Sequence, residues 1–309
     1  MIEIFCKSGD EIKKIHDYHP GCWINITAPP AGEIEDLCSK LKIPSSYISY
    51  PLDIDERARI ESEDEHMLIL VRVPYYDPDD EVSYRTVPLG IIYSGDYIIT
   101  VASRKLELIR DFVHGRVRKN DFSNKEHFIL LILFHIAQIY LNFLKEINGR
   151  SALIEKRFHM AINNKELLNL LLLEKSLVYF TTSLKADEIM ISRLATSKRF
   201  KSSPDDAELF AEVIVEYRQA LEMSSIYSNI LSGMMNAFAS VISNNLNAVM
   251  RTLTSIAIFM MVPNMVAGFY GMNVKLPFQD SPYAFLITLA ISFILAIIAV
   301  LFLLRRRGN

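Results

Sequence analysis

The chain has 309 residues, half of them hydrophobic, and a formal net charge of −3. That length holds one large or two modest domains. So small a charge, with no Lys/Arg stripe interleaved with aromatics, excludes a nucleic-acid binder. The apolar residues concentrate from Thr252 onward, so two regimes share one chain.

The N-terminus, MIEIFCKSGDEIKK, lacks the basic-then-apolar order of a signal peptide. Cys6, Cys22 and Cys38 form no C-x-x-C pair, and three cannot all pair within one chain. They read as reduced, half-buried thiols of a cytosolic domain. Asn25-Ile26-Thr27 fits a glycosylation sequon, which carries no meaning on a cytosolic face. Residues 1–125 read as an α/β domain. His66–Val73, Leu89–Tyr93 and Tyr97–Val101 are strand-like, with a Ser94-Gly95-Asp96 turn, and Ile34–Leu41 is helix-like. Acids crowd Asp53–Glu65 and Asp77–Glu81, which fits either a solvated surface or divalent-cation sensing.

Residues 126–203 form a helical region, with breaks expected at Asn148-Gly149, Asn163-Asn164 and Ser202-Ser203-Pro204. Lys198, Arg199 and Lys201 form a basic cluster at its end. After Pro204, Asp205 and Asp206 suit a helix's first turn. That helix should run roughly 65 residues to Tyr270, about 100 Å at 1.5 Å per residue. Its 204–251 part would be a stalk, and Pro263 is the place for a kink.

Residues 252–270 and 283–304 carry no charge and are long enough to cross a bilayer. The 271–282 loop between them makes a hairpin, with Tyr270 and Tyr283 at its boundary. Arg251 precedes the first span, and the basic tail 305–309 contains Arg305, Arg306 and Arg307. The loop holds only Lys275 and Asp280. The positive-inside rule then puts both termini in the cytoplasm. The second span is plain lipid-facing helix. The first carries Thr252, Thr254, Ser255, Pro263, Asn264 and Gly268, so it faces protein or a water-filled path. One protomer cannot enclose a pore, so conduction requires an oligomer around a central axis.

Stepping by three and four along the first span joins Asn247, Met250, Leu253, Ala257, Met261, Asn264 and Gly268 on one face. Amide oxygens there, and at Asn273, suit a hydrated cation, because Mg²⁺ keeps its water. Leu253 and Met261 suit a gate that closes by dewetting. The same face also fits ordinary helix packing, with Gly268 as a point of close approach. No P-loop, dinucleotide, nucleophile-elbow or HExxH motif occurs, so neither an enzyme nor a cofactor is expected, nor is ATP-driven pumping. His16-Asp17-Tyr18-His19 reads as exposed polar residues beside a strand.

Tyr270-Gly271-Met272-Asn273, between an apolar span and a second terminal one, resembles the signature of the CorA family of two-span divalent-cation channels. Trp23-Ile24-Asn25-Ile26 resembles that family's W-I-N-I strand. Ile43–Glu61 is similar to its H-P-L-x-x-E-D and R-P-K segment. The resemblance implies a homopentamer in the cell membrane, a funnel of α/β domains, long stalk helices and two C-terminal transmembrane helices. It implies an outer mouth at Gly271-Met272-Asn273, with Asn273 as the selectivity residue, and pore positions that match the stripe above. Mg²⁺ would be the transported and also a regulatory ion, gating the channel from its cytosolic domain. Two departures stand out. The family's regulatory acid falls on Tyr50, with its partner position near Glu212; Asp53, Asp55 and Glu56 are the available substitutes. The loop VKLPFQDSP also lacks a rich acidic run. Zn²⁺, Co²⁺ or Ni²⁺ transport on the same scaffold is an alternative. A membrane-anchored sensor or scaffold without conduction is another.

Overall fold

The computed structural model describes residues 1–8, 11–63, 65–117, 122, 124–160, 164–201, 203–278 and 281–305. Asn163, Ser202, Asp280, Arg306 and Arg307, named above, lie outside the described residues. The chain divides into two compact units, Met1–Met235 and Asn236–Asn309.

The first unit is built on a seven-stranded sheet of β1 (Ile2–Ser8), β2 (Glu11–Ile15), β3 (Trp23–Thr27), β4 (Arg59–Glu63), β5 (His66–Tyr76), β6 (Tyr84–Tyr93) and β7 (Ile98–Ala102). The order is β2-β1-β3-β7-β6-β5-β4. Only β3 and β7 pair in parallel, and the crossover between them carries helices α1 (Ala31–Leu41) and α2 (Ser45–Ser49). The W-I-N-I segment is β3, buried along its whole length at the sheet's centre. Strand alternation explains its composition. Ile24 and Ile26 join Leu37, Leu41, Tyr47 and Ile48 in one core. Trp23 packs in a second core, with ring centroids of Phe5, Phe122 and Phe128 at 5.2, 5.6 and 5.3 Å. Its indole N–H donates to Thr100 Oγ1 at 2.9 Å, and that hydroxyl donates to Asn25 Oδ1 at 3.0 Å. The polar letters of the motif thus satisfy one another inside the fold. Buried this way, Asn25 is no acceptor for a glycan.

Helices α3 (Glu107–Val113), α4 (Lys125–Met160) and α5 (Asn164–Leu194) follow, and then α6 (Pro204–Tyr270). Asn148-Gly149 does not break α4, contrary to the sequence expectation. Ile147, Ile154 and Phe158 are buried on either side of it. That packing outweighs the glycine's intrinsic cost of about 1 kcal/mol. The cysteines also differ from expectation. Cys6 of β1 and Cys22, the residue just before β3, have Cα atoms 4.8 Å apart and are paired as a disulfide. Cys38 is the free cysteine among the described residues. Sixteen residues and a hairpin separate the pair, so only the sheet register reveals it.

Gly90 of β6 has a specific use. A Cβ there would overlap the Pro51 ring and meet Leu68 Cδ1 at 3.4 Å. Its absence lets the Tyr50–Leu52 turn lie flat on the sheet. We predict that Gly90→Ala destabilises the protein by about 1–3 kcal/mol, the usual cost of overpacking. Thermal unfolding of the full chain measures this; an unchanged midpoint would show that the turn yields freely.

At α6's start, the Asp206 N–H donates to Ser203 Oγ at 3.1 Å, which caps the helix. The Asp206 carboxylate accepts from Ser203 Oγ at 2.7 Å and pairs with His127 Nδ1 at 2.8 Å. Burial acts to raise its pKa, but these hydrogen bonds outweigh it and hold the carboxyl below its ordinary value. α6 then continues for 67 residues, through Pro263.

The second unit holds the end of α6 and α7 (Ala284–Arg305). Among the described residues, four helices are long and apolar enough to cross a membrane: α4, α5, α6 and α7. Burial separates them. The apolar window of α4 is 56% buried and that of α5 39%, against 6% for α6 and 11% for α7. The apolar side of α4 is covered by the first unit's core. That of α6 and α7 is bare and calls for lipid or further protein.

Candidate functional site

On α6, Ser255, Ile258, Val262 and Tyr270 are half-buried, Val266 is buried, and Phe259 faces α7. Val266 is 7% exposed, Ser292 and Ala296 of α7 are buried, and the Phe259 and Phe293 rings are 6.3 Å apart. These positions repeat every three to four residues and define one face. At 3.6 residues per turn, the predicted stripe lies roughly 180° away on the same helix. Asn247, Met250, Leu253, Ala257, Met261, Asn264 and Gly268 are all exposed, Leu253 by 59% and Met261 by 66%. Between residues 255 and 270 the second unit therefore covers the face of α6 opposite the stripe and leaves the stripe exposed, with Asn264 at the edge of a cavity that α7 also walls.

Several polar groups of the first span are satisfied locally. The hydroxyls of Thr252, Thr254 and Ser255 donate to the carbonyls of Ala248, Met250 and Arg251 at 3.0, 2.8 and 2.9 Å. Such bonds make hydroxyl side chains tolerable in hydrocarbon. Asn264 instead lines a cavity of about 570 Å³ with Pro263, Tyr270, Phe285, Thr288 and Ser292.

α6 stops at Tyr270. The Gly271 N–H donates to the Ala267 and Gly268 carbonyls at 3.0 and 3.2 Å, and the Met272 N–H to Phe269 at 3.1 Å. These bonds tighten the last turn and place Gly271, Met272 and Asn273 just past it, all exposed. The Tyr270 hydroxyl donates to the Pro277 carbonyl at 2.9 Å, tying the far end of the loop back to the helix. Sequence reasoning put Tyr270 at the boundary as an aromatic anchor and missed this tie, since nothing in spacing foretells a side-chain bond to a loop carbonyl.

The acidic candidates lie in the first unit. Asp53 Oδ1 accepts the Asp55 N–H at 3.0 Å. Glu56 Oε1 accepts the Arg57 N–H at 3.2 Å and is ion-paired with Arg59. The Arg59 guanidinium sits 4.7 Å from the Tyr50 ring centre. Glu212 is exposed on α6. No group of three or more His, Cys, Asp or Glu side chains suited to a metal occurs among the described residues. Asp53, Asp55, Glu56 and Glu212 are therefore not gathered into such a group within one chain.

A network behind that loop was not foreseen. Arg72 of β5 donates to the Ile54 and Glu56 carbonyls at 2.7 and 2.9 Å and to Thr86 O at 3.1 Å. Its backbone N–H donates to Asp187 Oδ1 of α5 at 2.9 Å, and its carbonyl accepts from the Tyr140 hydroxyl at 3.0 Å. Burial pushes the Asp187 carboxyl well above the usual carboxylate range. The sign of the consequence follows. The unfolded carboxyl ionises near pH 4, and the folded one only at higher pH. Stability therefore falls as pH rises, by about 1.4 kcal/mol per unit, until the folded pKa is reached. Asp187→Asn keeps an acceptor for Arg72 and removes this slope. We predict that the variant's thermal midpoint gains on the wild type's between pH 4 and 7; parallel profiles would refute it.

Residues 20–306 match the family model described as CorA-like Mg²⁺ transporter protein. The chain belongs to the CorA family. A cobalt/magnesium transport protein CorA from Methanocaldococcus jannaschii is 26% identical, over 93% of this chain and 90% of that one. The complete structure of the CorA magnesium transporter from the same organism superposes with a TM-score of 0.81 at 24% identity, covering 100% of this chain and 98% of that one. The ZntB cytoplasmic domain from Vibrio parahaemolyticus shares the fold at a TM-score of 0.59 and 13% identity, over 80% of this chain and 98% of that one. The architecture is thus the CorA one: an α/β N-terminal domain, a long helix and C-terminal helices. CorA is a family of membrane transporters, and that is the class of this protein.

Proposed function

We propose that this chain forms a homopentameric channel of the cell membrane that admits Mg²⁺ to the cytoplasm down its electrochemical gradient. The observation that supports the reading is the unequal cover of α6 between residues 255 and 270: the side toward α7 is half-buried or buried, and the stripe of amides, small residues and flexible apolar side chains is exposed, Asn264 at a cavity edge. A ring of such helices encloses a path lined by Asn247, Met250, Leu253, Ala257, Met261, Asn264 and Gly268. Gly271, Met272 and Asn273 form its outer mouth, with Tyr270 fixing the loop. Both termini are cytoplasmic. Residues 1–125 and 126–203 form the cytosolic domain, 204–251 the stalk, 252–270 and 283–304 the spans, 271–282 the outer loop and 305–309 a basic tail.

The ion keeps its water through this path. A stripe without His, Cys or acid offers no ligands to replace a Mg²⁺ hydration shell, whereas amide oxygens accept hydrogen bonds from it. An inside-negative potential drives a divalent cation by about 4.6 kcal/mol per 100 mV. Internal Mg²⁺ gates the channel through the cytosolic domain, with Asp53, Asp55, Glu56 and Glu212 of neighbouring protomers as the binding groups in place of an acid at Tyr50.

Co²⁺ is the second substrate to test, because curated relatives carry cobalt and magnesium together in their names. The experiment is uptake into proteoliposomes loaded with a Mg²⁺-sensitive dye, repeated for Co²⁺, Ni²⁺ and Zn²⁺ and with internal Mg²⁺ titrated. Mg²⁺ uptake that rises with an inside-negative potential and falls with internal Mg²⁺ is the expected result. Uptake of another ion alone moves the substrate. No uptake by correctly assembled oligomers favours a scaffold without conduction.

A further inference from the structure

Among the described residues, Asp187 Oδ2 and the Tyr217 hydroxyl are buried without a hydrogen-bond partner. Buried polar groups are nearly always paired, so two unpaired ones in the same neighbourhood need a reason. Their neighbourhood is fixed by the pairing of α5 with α6. Thr181 Oγ1 lies 2.8 Å from Ser224 Oγ, and Ser232 is hydrogen-bonded to Glu174. These two contacts set an antiparallel register in which α5 advances as α6 recedes. One further step of about two turns, at 3.6 residues per turn, brings Asp187 opposite Tyr217. The titratable groups facing this spot are Asp187, Tyr140 and Tyr217 themselves, with Arg72 from the sheet. Val213 and Ala220 of α6 and Leu184 and Ile191 of α5, all buried, flank it.

Asp187 is also one residue removed from the acidic loop. Its Oδ1 holds the Arg72 N–H at 2.9 Å, and the Arg72 guanidinium holds the Ile54 and Glu56 carbonyls. We propose that Asp187 and Tyr217 are the contact through which the Asp53–Glu56 loop and α6 are coupled. Asp187 Oδ2 and the Tyr217 hydroxyl hydrogen-bond to one another in one position of α6, the protonated carboxyl donating, and the bond is open in the position described here. A displacement of α6 along α5 makes or breaks it without disturbing the apolar packing around it. The loop, held by the same Arg72 that anchors Asp187, biases which position is occupied. Asp187 and Tyr217 are positioning residues: neither touches the ion. The inference rests on the gated-channel reading above.

The test is uptake by the full-length protein with internal Mg²⁺ titrated, for wild type, Tyr217→Phe, Asp187→Leu and the double variant. Removing one hydrogen bond from one state should move the internal Mg²⁺ concentration for half-inhibition by roughly three- to tenfold in Tyr217→Phe. Maximal uptake without internal Mg²⁺ should stay at the wild-type value. The double variant should shift no further than Asp187→Leu. A wild-type response in Tyr217→Phe, or single shifts that multiply in the double variant, would overturn the coupling. Wild-type uptake indifferent to internal Mg²⁺ would instead overturn the gating reading, and the coupling with it. Should Asp187→Leu fail to assemble, infrared spectra of the wild type and Tyr217→Phe decide the matter. The Asp187 carboxyl band, assigned by its loss in Asp187→Asn, should move on Mg²⁺ removal in the wild type and stay fixed in the variant. A band that does not move in the wild type refutes the proposal.

Discussion

Asn273→Ala should abolish divalent-cation uptake while leaving the oligomer intact. Asn273 sits two residues past the end of α6's backbone ladder, exposed, after a turn closed by the Gly271 and Met272 N–H groups. Those bonds use backbone atoms only, so truncating the side chain leaves the loop's geometry alone. The Tyr270 tie to Pro277 is likewise untouched. In the proposed pentamer, however, the substitution deletes a complete ring of amides at the mouth. Each such hydrogen bond to a cation's hydration shell contributes about 1.5 kcal/mol or more, so five amount to about 7 kcal/mol. That exceeds the roughly 4.6 kcal/mol that 100 mV supplies to a divalent ion. A potential of about 100 mV does not compensate for a missing ring. Uptake in proteoliposomes, paired with sizing of the same preparation, measures both halves of the expectation. Full uptake by the variant would remove Asn273 from the ion's path. Loss of uptake together with loss of the oligomer would make it a structural residue.

What the sequence showed and what it hid follow from the range of the interactions involved. The long helix and both terminal apolar helices were legible because helical periodicity and charge-free length are local properties. The strand at Trp23 was legible through the family resemblance alone, whereas most of β5 and β7 and the second half of β6 were legible from the residues themselves. Their apolar runs are short, rich in β-branched residues and bounded by turns. β1, β2 and β4 were not read as strands. They lie toward the sheet's edges and have mixed composition, and their pairing partners are set by topology. The break expected at Asn148-Gly149 failed for a related reason: propensity is local, and the packing of Ile147, Ile154 and Phe158 is not. The stripe on α6 could be read from spacing. Which side of α6 would be covered could not, because that depends on how α7 lies against it. The Arg72, Asp187 and Tyr217 network was invisible to any motif, since it joins three elements far apart in the chain.

The face opposition on α6 yields the second large effect. Leu253 and Met261 belong to the open stripe, and Val266 to the face against α7. Leu253→Ser places a hydroxyl where an apolar ring would dewet, so water and ions persist in the constriction. Uptake at high internal Mg²⁺, where the wild type is shut, should rise at least about tenfold, since a barrier lowered by 1.4 kcal/mol already gives that factor. Met261→Ser should act in the same direction. Val266→Ala should do the reverse. It removes buried methyl groups between α6 and α7, costs about 1 kcal/mol of stability and lowers the thermal midpoint, yet leaves uptake per folded oligomer and its Mg²⁺ dependence unchanged. The contrast matters more than either result alone, because a general loosening of the bundle would make both faces leak. If Leu253→Ser behaves as Val266→Ala does, the stripe is packing surface and its amides serve assembly. If only the stripe variants leak, the face left open by α7 is the one that the ion meets.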